Sequence, residues 1–285
     1  MNKSRKNILR TLIAATTVAI LGFTAACGAS SSNTSSNSDD ITQQTINPGT
    51  LTIATGEPAY TPWVIDDNPA SGKGYEAAVA YAVAEKLGFK KSQVKWTRTT
   101  FDAAIAPGAK DFDLNIQQFS ITDERKKAVD FSSSYYNATQ SVIVKKDSKY
   151  ASATSIADLK DATIGAMVGS TSYDFAKKLI KSDIQTFNDN AVIAQALDSN
   201  QIDALVVDTP TAQYMVQSDQ VTDGVVVGQL ANSEDPNGTG IVLPKNSALT
   251  SAVTKAVNEL DKDGTLKKLQ NEWLKEYTVD VPTLK

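Results

Sequence analysis

Strand-like and helix-like segments alternate three times within one stretch of the chain, residues 163–217, which reads TIGAMVGSTSYDFAKKLIKSDIQTFNDNAVIAQALDSNQIDALVVDTPTAQYMVQ. Short β-branched runs indicate the strands, and apolar residues at helical spacing indicate the helices. The predicted strands and helices occupy, in order, 163–168, 171–181, 184–187, 190–198, 202–207 and 209–217. Because strands that alternate with helices form parallel sheets, this stretch predicts an α/β architecture.

The same alternation begins the first half of the chain. A strand at Leu51–Thr55, a helix over 74–88 that ends at glycine, and a strand at Val94–Arg98 form one predicted βαβ unit. Further segments are a short helix at 101–105, strands at 112–119, 141–144, 225–227 and 240–243, and helices from about Ser247 and Thr265. The length of 285 residues fits two lobes. Ligands of such sheets bind at the carboxyl ends of the strands.

The composition excludes several kinds of chemistry. The chain has no histidine and one cysteine, so it lacks an imidazole base, a Cys/His pair and a zinc site built from several cysteines. We therefore expect no metal, no cofactor and no catalytic residue. The formal net charge is −4, and an acidic protein does not favour nucleic acid as a partner.

The first 26 residues have the organisation of a signal peptide. Four basic residues precede residue 11, and an uncharged, mostly apolar stretch covers 11–26. This stretch is too short and too rich in threonine to span a bilayer. The sequence Thr24-Ala25-Ala26-Cys27 resembles a bacterial lipobox, in which the cysteine is lipidated and becomes the first residue. A spare thiol near an ordinary cleavage site is the alternative.

A polar segment follows the cysteine. Residues 28–47 consist mostly of Ser, Asn, Thr, Asp and Gln, and they predict a solvated tether. We expect a folded body that starts at Pro48 and is held by its lipid on the outer face of the cytoplasmic membrane.

Three turns at strand ends carry polar residues that can bind a charged ligand. Arg125 lies in the first turn of a predicted helix, where a cation opposes the helix dipole unless it binds an anion. A solvated helix arginine is the alternative. At 169–171, Gly169 permits close backbone approach, and Thr171 either contributes to an anion site at a helix start or caps that helix. Asp208 can cap a helix or bind an ammonium group.

Taken together, these turns favour an α-amino acid as the ligand. One cation and one helix start would bind its carboxylate, and one acid would bind its ammonium group. The residues that could surround its side chain are Glu57, Tyr60, Trp63 and Phe101.

Several stretches resemble the polar amino acid subfamily of bacterial ABC-transporter substrate-binding proteins. The most specific is SITDERKKAVDFS at 120–132. The others are YTPW (60–63), GYEAAVA (74–80), FDAAI (101–105), YY (135–136), GST (169–171), IDALVVD (202–208) and DGT (263–265). The resemblance extends from about residue 50 to 278. It implies a two-lobed, type II periplasmic-binding-protein-like fold with two crossing hinge strands and the ligand in the cleft between the lobes.

The resemblance also implies residue roles and lobe limits. Its ligand contacts correspond to Tyr60 and Phe101 as aromatic walls, to Arg125, Ser120, Gly169 and Thr171 around the carboxylate, and to Asp208 at the ammonium group. Lobe one would comprise 48–137 and 238–285, lobe two 141–233, and the hinges 138–140 and 234–237.

Some positions depart from the family. Gln117 and Gln118 stand where a small residue is common, so we expect a narrower or amide-rich cleft in which one glutamine contacts the ligand side chain. Glu57 corresponds to a position that contacts a cationic side chain in some relatives; a surface glutamate before Pro58 is the alternative. We interpret Glu76 as part of the scaffold.

The implied function is extracytoplasmic capture of an amino acid by lobe closure and its delivery to an ABC permease, by a monomer. The alternatives are a cleft enzyme, a lyase or dehydratase, and a ligand-sensing domain. An enzyme would need a general acid or base in the cleft, and without histidine only Glu57 or Asp208 could serve. Asp208 facing Arg125 should stay ionised and would therefore be a poor acid at neutral pH. Because Glu57 would repel an acidic side chain, we expect a polar neutral or cationic amino acid.

Overall fold

The structure is a computed structural model and describes residues 40–285. The predicted signal peptide, Cys27 and the predicted tether as far as residue 39 lie outside the described residues. No helix in the described part of the chain is long and apolar enough to cross a membrane.

Eleven strands and seven α-helices make up the regular structure of residues 40–285. The strands are β1 (Leu51–Thr55), β2 (Val94–Arg98), β3 (Leu114–Asn115), β4 (Val129–Tyr136), β5 (Gln140–Lys145), β6 (Ile164–Met167), β7 (Ile184–Phe187), β8 (Ala204–Asp208), β9 (Gly224–Leu230), β10 (Thr239–Pro244) and β11 (Thr283–Leu284). The helices are α1 (Tyr75–Lys86), α2 (Phe101–Ile105), α3 (Thr171–Leu179), α4 (Asn190–Asp198), α5 (Thr209–Gln217), α6 (Thr250–Lys262) and α7 (Thr265–Trp273).

The strands form two sheets, each the centre of one lobe. The sheet of lobe one has the order β2-β1-β3-β10-β4, and that of lobe two has the order β11-β9-β5-β8-β6-β7. The strands β1, β2 and β3 are parallel to one another, as are β6, β7 and β8. The strands that enter from the other lobe, β5 and β10, pair antiparallel with their neighbours. The predicted α/β class with two lobes is confirmed.

In lobe one, the start of α1 is hydrogen-bonded to the loop that precedes it. The backbone N–H groups of Glu76 and Ala77 donate to the carbonyl oxygen of Trp63 over 3.0 and 3.3 Å. Gly74 makes this approach possible, because its φ is +98° and a Cβ there would lie 2.5 Å from the same carbonyl oxygen. This loop, which also carries Tyr60, is therefore fixed against the start of the helix.

The chain passes between the sheets at 137–139 and 231–238, and once more after α7. The last pass differs from the prediction, which placed all of 238–285 in lobe one. The strand β11 pairs with β9 in lobe two, with Leu284 opposite Leu230. Leu284 is buried there, and a Cβ at Gly228 would lie 2.8 Å from its Cγ. The C-terminal residues thus belong to lobe two, where burial of Leu284 in the core stabilises their position.

The folded body also starts earlier than predicted. Residues 40–47, expected in the tether, pack on lobe one, where Ile41 contacts the hydrophobic core. Asp113 Oδ1 accepts the N–H of Ile46, and Asp113 Oδ2 accepts the N–H of Thr52, each over 2.7 Å. These contacts use backbone donors, so the polar composition of the segment gave no sign of them.

A second local difference concerns the segment around Arg125. The predicted strand at 112–119 is reduced to the two residues of β3, and the predicted helix is a single 3-10 turn, Arg125–Lys127. The turn closes when the N–H of Ala128 donates to the carbonyl oxygen of Arg125, and β4 begins at the next residue.

Candidate functional site

A cavity of about 420 Å³ lies between the two lobes. Its volume is in the range of small-molecule sites. Its walls come from the loops after β1, β2 and β3 in lobe one and after β6, β7 and β8 in lobe two, that is, from the carboxyl ends of parallel strands. The predicted ligand-binding residues that line it are Glu57, Tyr60, Phe101, Gln117, Gln118, Arg125, Thr171 and Asp208.

Hydrogen bonds join the lobes around this cavity. Arg125 Nη2 donates to the carbonyl oxygen of Gly169 over 2.9 Å. The hydroxyl oxygens of Ser120 and Thr171 are 2.9 Å apart. The structure therefore has its cleft closed over the cavity.

Arg125 is a buried cation at the edge of the cavity. Its Nη1 donates to the carbonyl oxygen of Ser120 over 2.8 Å, and its guanidinium carbon lies 5.3 and 5.7 Å from the ring centres of Phe101 and Phe119. Among the described residues no carboxylate forms an ion pair with it. Burial lowers the pKa of Arg125, while nearby aspartates, Asp235 first, oppose that shift. A guanidinium stays charged in a protein, so this site favours an anion.

Ser120 and Gly169 lie beside the cavity but do not line it. The hydroxyl group of Ser120 is directed to Thr171, and the carbonyl oxygen of Gly169 accepts from Arg125. Ser120 and Gly169 thus take part in hydrogen bonds between the lobes. A direct contact of either residue with a ligand stays a prediction.

The start of α3 presents backbone donors to the cavity. Ser170 is the N-cap residue, and its side chain accepts the N–H of Tyr173 over 3.1 Å. Thr171 therefore does not cap the helix. The N–H groups of Thr171 and Ser172 belong to the first turn, where a helix offers no carbonyl partner, so they can bind an anion.

Asp208 ends β8 and faces the cavity from lobe two. It occupies the N-cap position of α5, but its side chain makes no capping hydrogen bond. Instead its Oδ1 accepts from Gln140 Nε2 over 2.7 Å, and Gln140 Oε1 in turn accepts from the hydroxyl of Ser172 over 2.6 Å. The capping alternative for Asp208 is thus not what the structure shows.

The charge state of Asp208 depends on its burial as well as on Arg125. Burial raises its pKa to about 7, opposed first by the hydrogen bond from Gln140 and then by the charge on Arg125. The expectation that Asp208 stays ionised beside Arg125 stays a prediction, because loss of hydration favours the neutral form. An approaching ammonium group would favour the ionised form.

Aromatic side chains enclose the rest of the cavity. Phe101 packs against Phe119 with ring centres 4.4 Å apart. The hydroxyl of Tyr60 is buried without a hydrogen-bond partner among the described residues, and burial, followed by the charge on Asp189, raises its pKa to about 12. Trp63 Nε1 donates to Thr211 Oγ1 of lobe two over 2.8 Å.

The two glutamines lie together on the lobe-one side of the cavity. The side-chain oxygen of Gln117 is buried and has no partner among the described residues. Gln118 is held by Glu76, which accepts its backbone N–H over 2.7 Å and also its side-chain Nε2. Glu76 was interpreted as scaffold, and the structure gives it this contact with a cavity residue. Its sequence signal is a carboxylate three positions before Val79 and seven before Val83, on the buried face of α1.

Asp235 is a residue near the site that the sequence did not point to. It lies in the crossing segment 231–238, is buried, and its Oδ2 has no hydrogen-bond partner among the described residues. Burial raises its pKa, opposed by Ser120 and the charge on Arg125. The carboxyl group is therefore near enough to Arg125 for each charge to affect the pKa of the other.

Comparison with known proteins identifies the family. Residues 51–276 match the family of bacterial extracellular solute-binding proteins, family 3. The arginine-binding extracellular protein ArtP of Bacillus subtilis is 31% identical over 204 residues, which is 70% of this chain and 77% of that protein. The L-cystine-binding protein TcyJ of Escherichia coli K12 is 31% identical over 230 residues, covering 79% of this chain and 82% of that protein.

A solved structure extends the similarity to the fold. An ancestral arginine-binding protein bound to arginine superposes with a TM-score of 0.66 at 34% identity, covering 79% of this chain and 98% of that one. Both sequence and fold agree over most of the described residues. The chain belongs to the bacterial extracellular solute-binding proteins of family 3.

Proposed function

We propose that this protein captures a polar amino acid in the cavity between its lobes and delivers it to an ABC permease. It acts on the outer face of the cytoplasmic membrane, held there by lipid on Cys27, and as a monomer. Catalysis is not part of this function, so the ligand leaves chemically unchanged.

One observation carries the proposal: a guanidinium and a carboxyl group line the same cavity with neither committed to a charged partner. Arg125 forms no ion pair with the described residues, and Asp208 does not cap its helix. An α-amino acid supplies the opposite charge to each, and the N–H groups at the start of α3 add donors for its carboxylate.

The remaining lining residues support a ligand whose side chain is not acidic. The carboxylates that line the cavity are Glu57, Asp102, Asp189 and Asp208. Arg125 is the one basic residue in the described lining, and the ligand carboxylate takes it. A second negative charge would stay unpaired and costly. The relative named for arginine agrees with a ligand that carries extra nitrogen.

Lobe closure would give the permease a conformation that distinguishes the ligand-bound protein from the free one. The bonds from Arg125 to Gly169 and from Trp63 to Thr211 form only when the lobes meet. A ligand that contacts Arg125 in one lobe and Asp208 in the other stabilises that closed form.

A binding screen tests the proposal. The polypeptide that follows Cys27, without lipid, is heated with each of the twenty amino acids, ornithine and cystine, because a ligand of the folded state raises the melting temperature. Titration calorimetry then gives the affinity of the best ligand. Mass spectrometry of the recovered ligand should show no change.

Two derivatives of the best ligand test the geometry. Its α-carboxamide lacks the carboxylate, and its Nα-acetyl form lacks the ammonium group, so each should bind at least about a hundredfold more weakly. If no amino acid shifts the melting temperature, or if both derivatives bind like the parent, the proposed function is wrong.

A further inference from the structure

Glu76 is a fully buried carboxylate that contacts the cavity only through Gln118. One of its oxygens accepts the backbone N–H of Gln118 over 2.7 Å and the hydroxyl of Tyr135, and the other accepts Gln118 Nε2. Tyr135 is fixed in turn, because its carbonyl oxygen accepts the hydroxyl of Tyr75 over 2.6 Å. Glu76 is thus held in one orientation.

The backbone of Gln118 needs such a partner. Its φ is +51°, in the left-handed region that a residue with a side chain seldom adopts. A carboxylate bound to both its backbone and its side chain stabilises that conformation and keeps the side chain beside the cavity.

The hydrogen bond to Glu76 determines which end of the Gln118 side-chain amide faces Glu76 and which end faces away. A carboxylate only accepts hydrogen bonds, so it selects the NH₂ end of the amide. The oxygen Oε1 is then the polar atom of this side chain that remains for a ligand. Gln117 lines the same cavity, but its own Oε1 is buried behind the surface.

We propose that Glu76 determines specificity as a positioning residue: it fixes the amide of Gln118 so that the oxygen of this amide faces the cavity, and it thereby selects ligand side chains that donate hydrogen bonds. This inference rests on the proposed function. It narrows the ligand to amino acids whose side chains end in a guanidinium, an ammonium group or an amide NH₂.

The substitution Glu76→Gln should reverse the amide. Its side-chain oxygen can replace the carboxylate oxygen that accepts from Gln118 N–H and Tyr135, but its NH₂ group then faces Gln118 Nε2. Two donors cannot bond each other, so the Gln118 amide turns by half a rotation and presents its NH₂ to the cavity. The wall changes from acceptor to donor with almost no change in shape.

Arginine and citrulline are the probes for ligand preference, because a terminal nitrogen of the cationic guanidinium, a donor, is replaced in citrulline by the oxygen of an uncharged urea group, an acceptor. Since the two probes also differ in charge, hydrogen exchange of the Gln118 amide separates its direction from the loss of charge at residue 76. Calorimetry at pH 8.5, where Glu76 is ionised, should give a wild-type preference for arginine over citrulline. In Glu76→Gln that ratio should fall at least about tenfold. Glu85→Gln removes an exposed carboxylate from the same helix and should leave the ratio unchanged.

A double variant separates direction from mere loss of packing. In Glu76→Gln with Gln118→Glu, the new NH₂ of residue 76 bonds one oxygen of residue 118, and the other oxygen faces the cavity. The preference for arginine should return. If it does not return, or if Glu76→Gln keeps the wild-type ratio, the proposal is wrong.

A readout without ligand keeps this test independent of the proposed function. In ¹⁵N-labelled protein the side-chain NH₂ signal of Gln118, identified by its absence in Gln118→Ala, should exchange slowly with solvent in the wild type and in Glu85→Gln. It should exchange faster in Glu76→Gln. Unchanged exchange overturns the proposal about Glu76, whereas failure of every amino acid to bind overturns the proposed function alone.

Discussion

Arg125 in lobe one donates a hydrogen bond from Nη2 to the carbonyl oxygen of Gly169 in lobe two, over 2.9 Å. The same guanidinium lines the cavity. Because one cation both bridges the cleft and lines the cavity, an anion that bound it there would also favour the closed arrangement of the lobes. Under the proposed function, capture and closure depend on this shared residue.

Loss of Arg125 should weaken binding strongly. We expect Arg125→Ala to lower the affinity for the best amino acid by about 2–5 kcal/mol, because the ligand carboxylate would be buried without its guanidinium. Calorimetry measures the change. Lys126→Ala, which removes the neighbouring exposed cation, is the control and should bind like the wild type. An affinity within about twofold of wild type in Arg125→Ala would mean that the ligand lies elsewhere.

Binding should also depend on pH through Asp208. Its pKa is raised to about 7 in the protein without ligand, and only its ionised form can pair with an ammonium group. Since lowering the pH below 7 protonates Asp208, the affinity should fall by up to about tenfold per pH unit below that value and level off above it. Calorimetry between pH 5.5 and about 8.5 measures this profile.

The variant Asp208→Asn identifies the group responsible for that profile. It should bind more weakly at pH 8 and lose most of the slope, because it has no proton to release. Glu76, whose pKa burial also raises to about 7, is another group that titrates in this window, and burial raises the pKa of Asp235 as well. A slope that persists in Asp208→Asn and vanishes in Glu76→Gln would assign the pH dependence to Glu76.

The parts of the site that follow from strand ends could be predicted. Asp208 ends β8, and Thr171 begins α3 after the turn that follows β6. Both lie in a segment with regular alternation, and parallel strands bring their carboxyl ends to one edge. Phe101 begins a short helix after β2, as the sequence indicated. In these cases the alternation of strands and helices along the chain is enough to place a residue at the cleft edge of a sheet.

Other contacts depend on residues far apart in the chain, and no local pattern reports them. Glu76 and Gln118 are 42 positions apart, and their bond depends on the left-handed backbone of Gln118. Leu284 reaches lobe two through a strand of only two residues. The Asp113 carboxylate binds the N–H groups of Ile46 and Thr52, and because these donors are main-chain groups the side chains of the two residues do not indicate the contact.

The membrane anchor gives a prediction that does not depend on the ligand. Cys27→Ser should move the protein from the membrane fraction to the soluble fraction, because the thiol that would carry the lipid is removed. Immunoblots of the two fractions and the mass of the mature protein measure this. Thr24→Ser, which keeps the cysteine and a small polar residue before it, is the control. Retention of Cys27→Ser at an unchanged mass would contradict the anchor.

The bond between Trp63 and Thr211 should stabilise the closed lobes. The indole Nε1 of Trp63 donates to Thr211 Oγ1 over 2.8 Å, and Trp63 is only 1% exposed, so without the hydroxyl a buried donor loses its partner. We expect Thr211→Val to weaken amino acid binding by about 1–2 kcal/mol, since closure becomes less favourable while the cavity keeps its shape. Thr211→Ser keeps the hydroxyl and should stay within about 0.5 kcal/mol of wild type. Calorimetry measures both affinities, and small-angle X-ray scattering with saturating ligand should show the same closed dimensions in all three proteins. If Thr211→Val binds like the wild type, or if Thr211→Ser loses as much affinity as Thr211→Val, the hydroxyl does not stabilise closure.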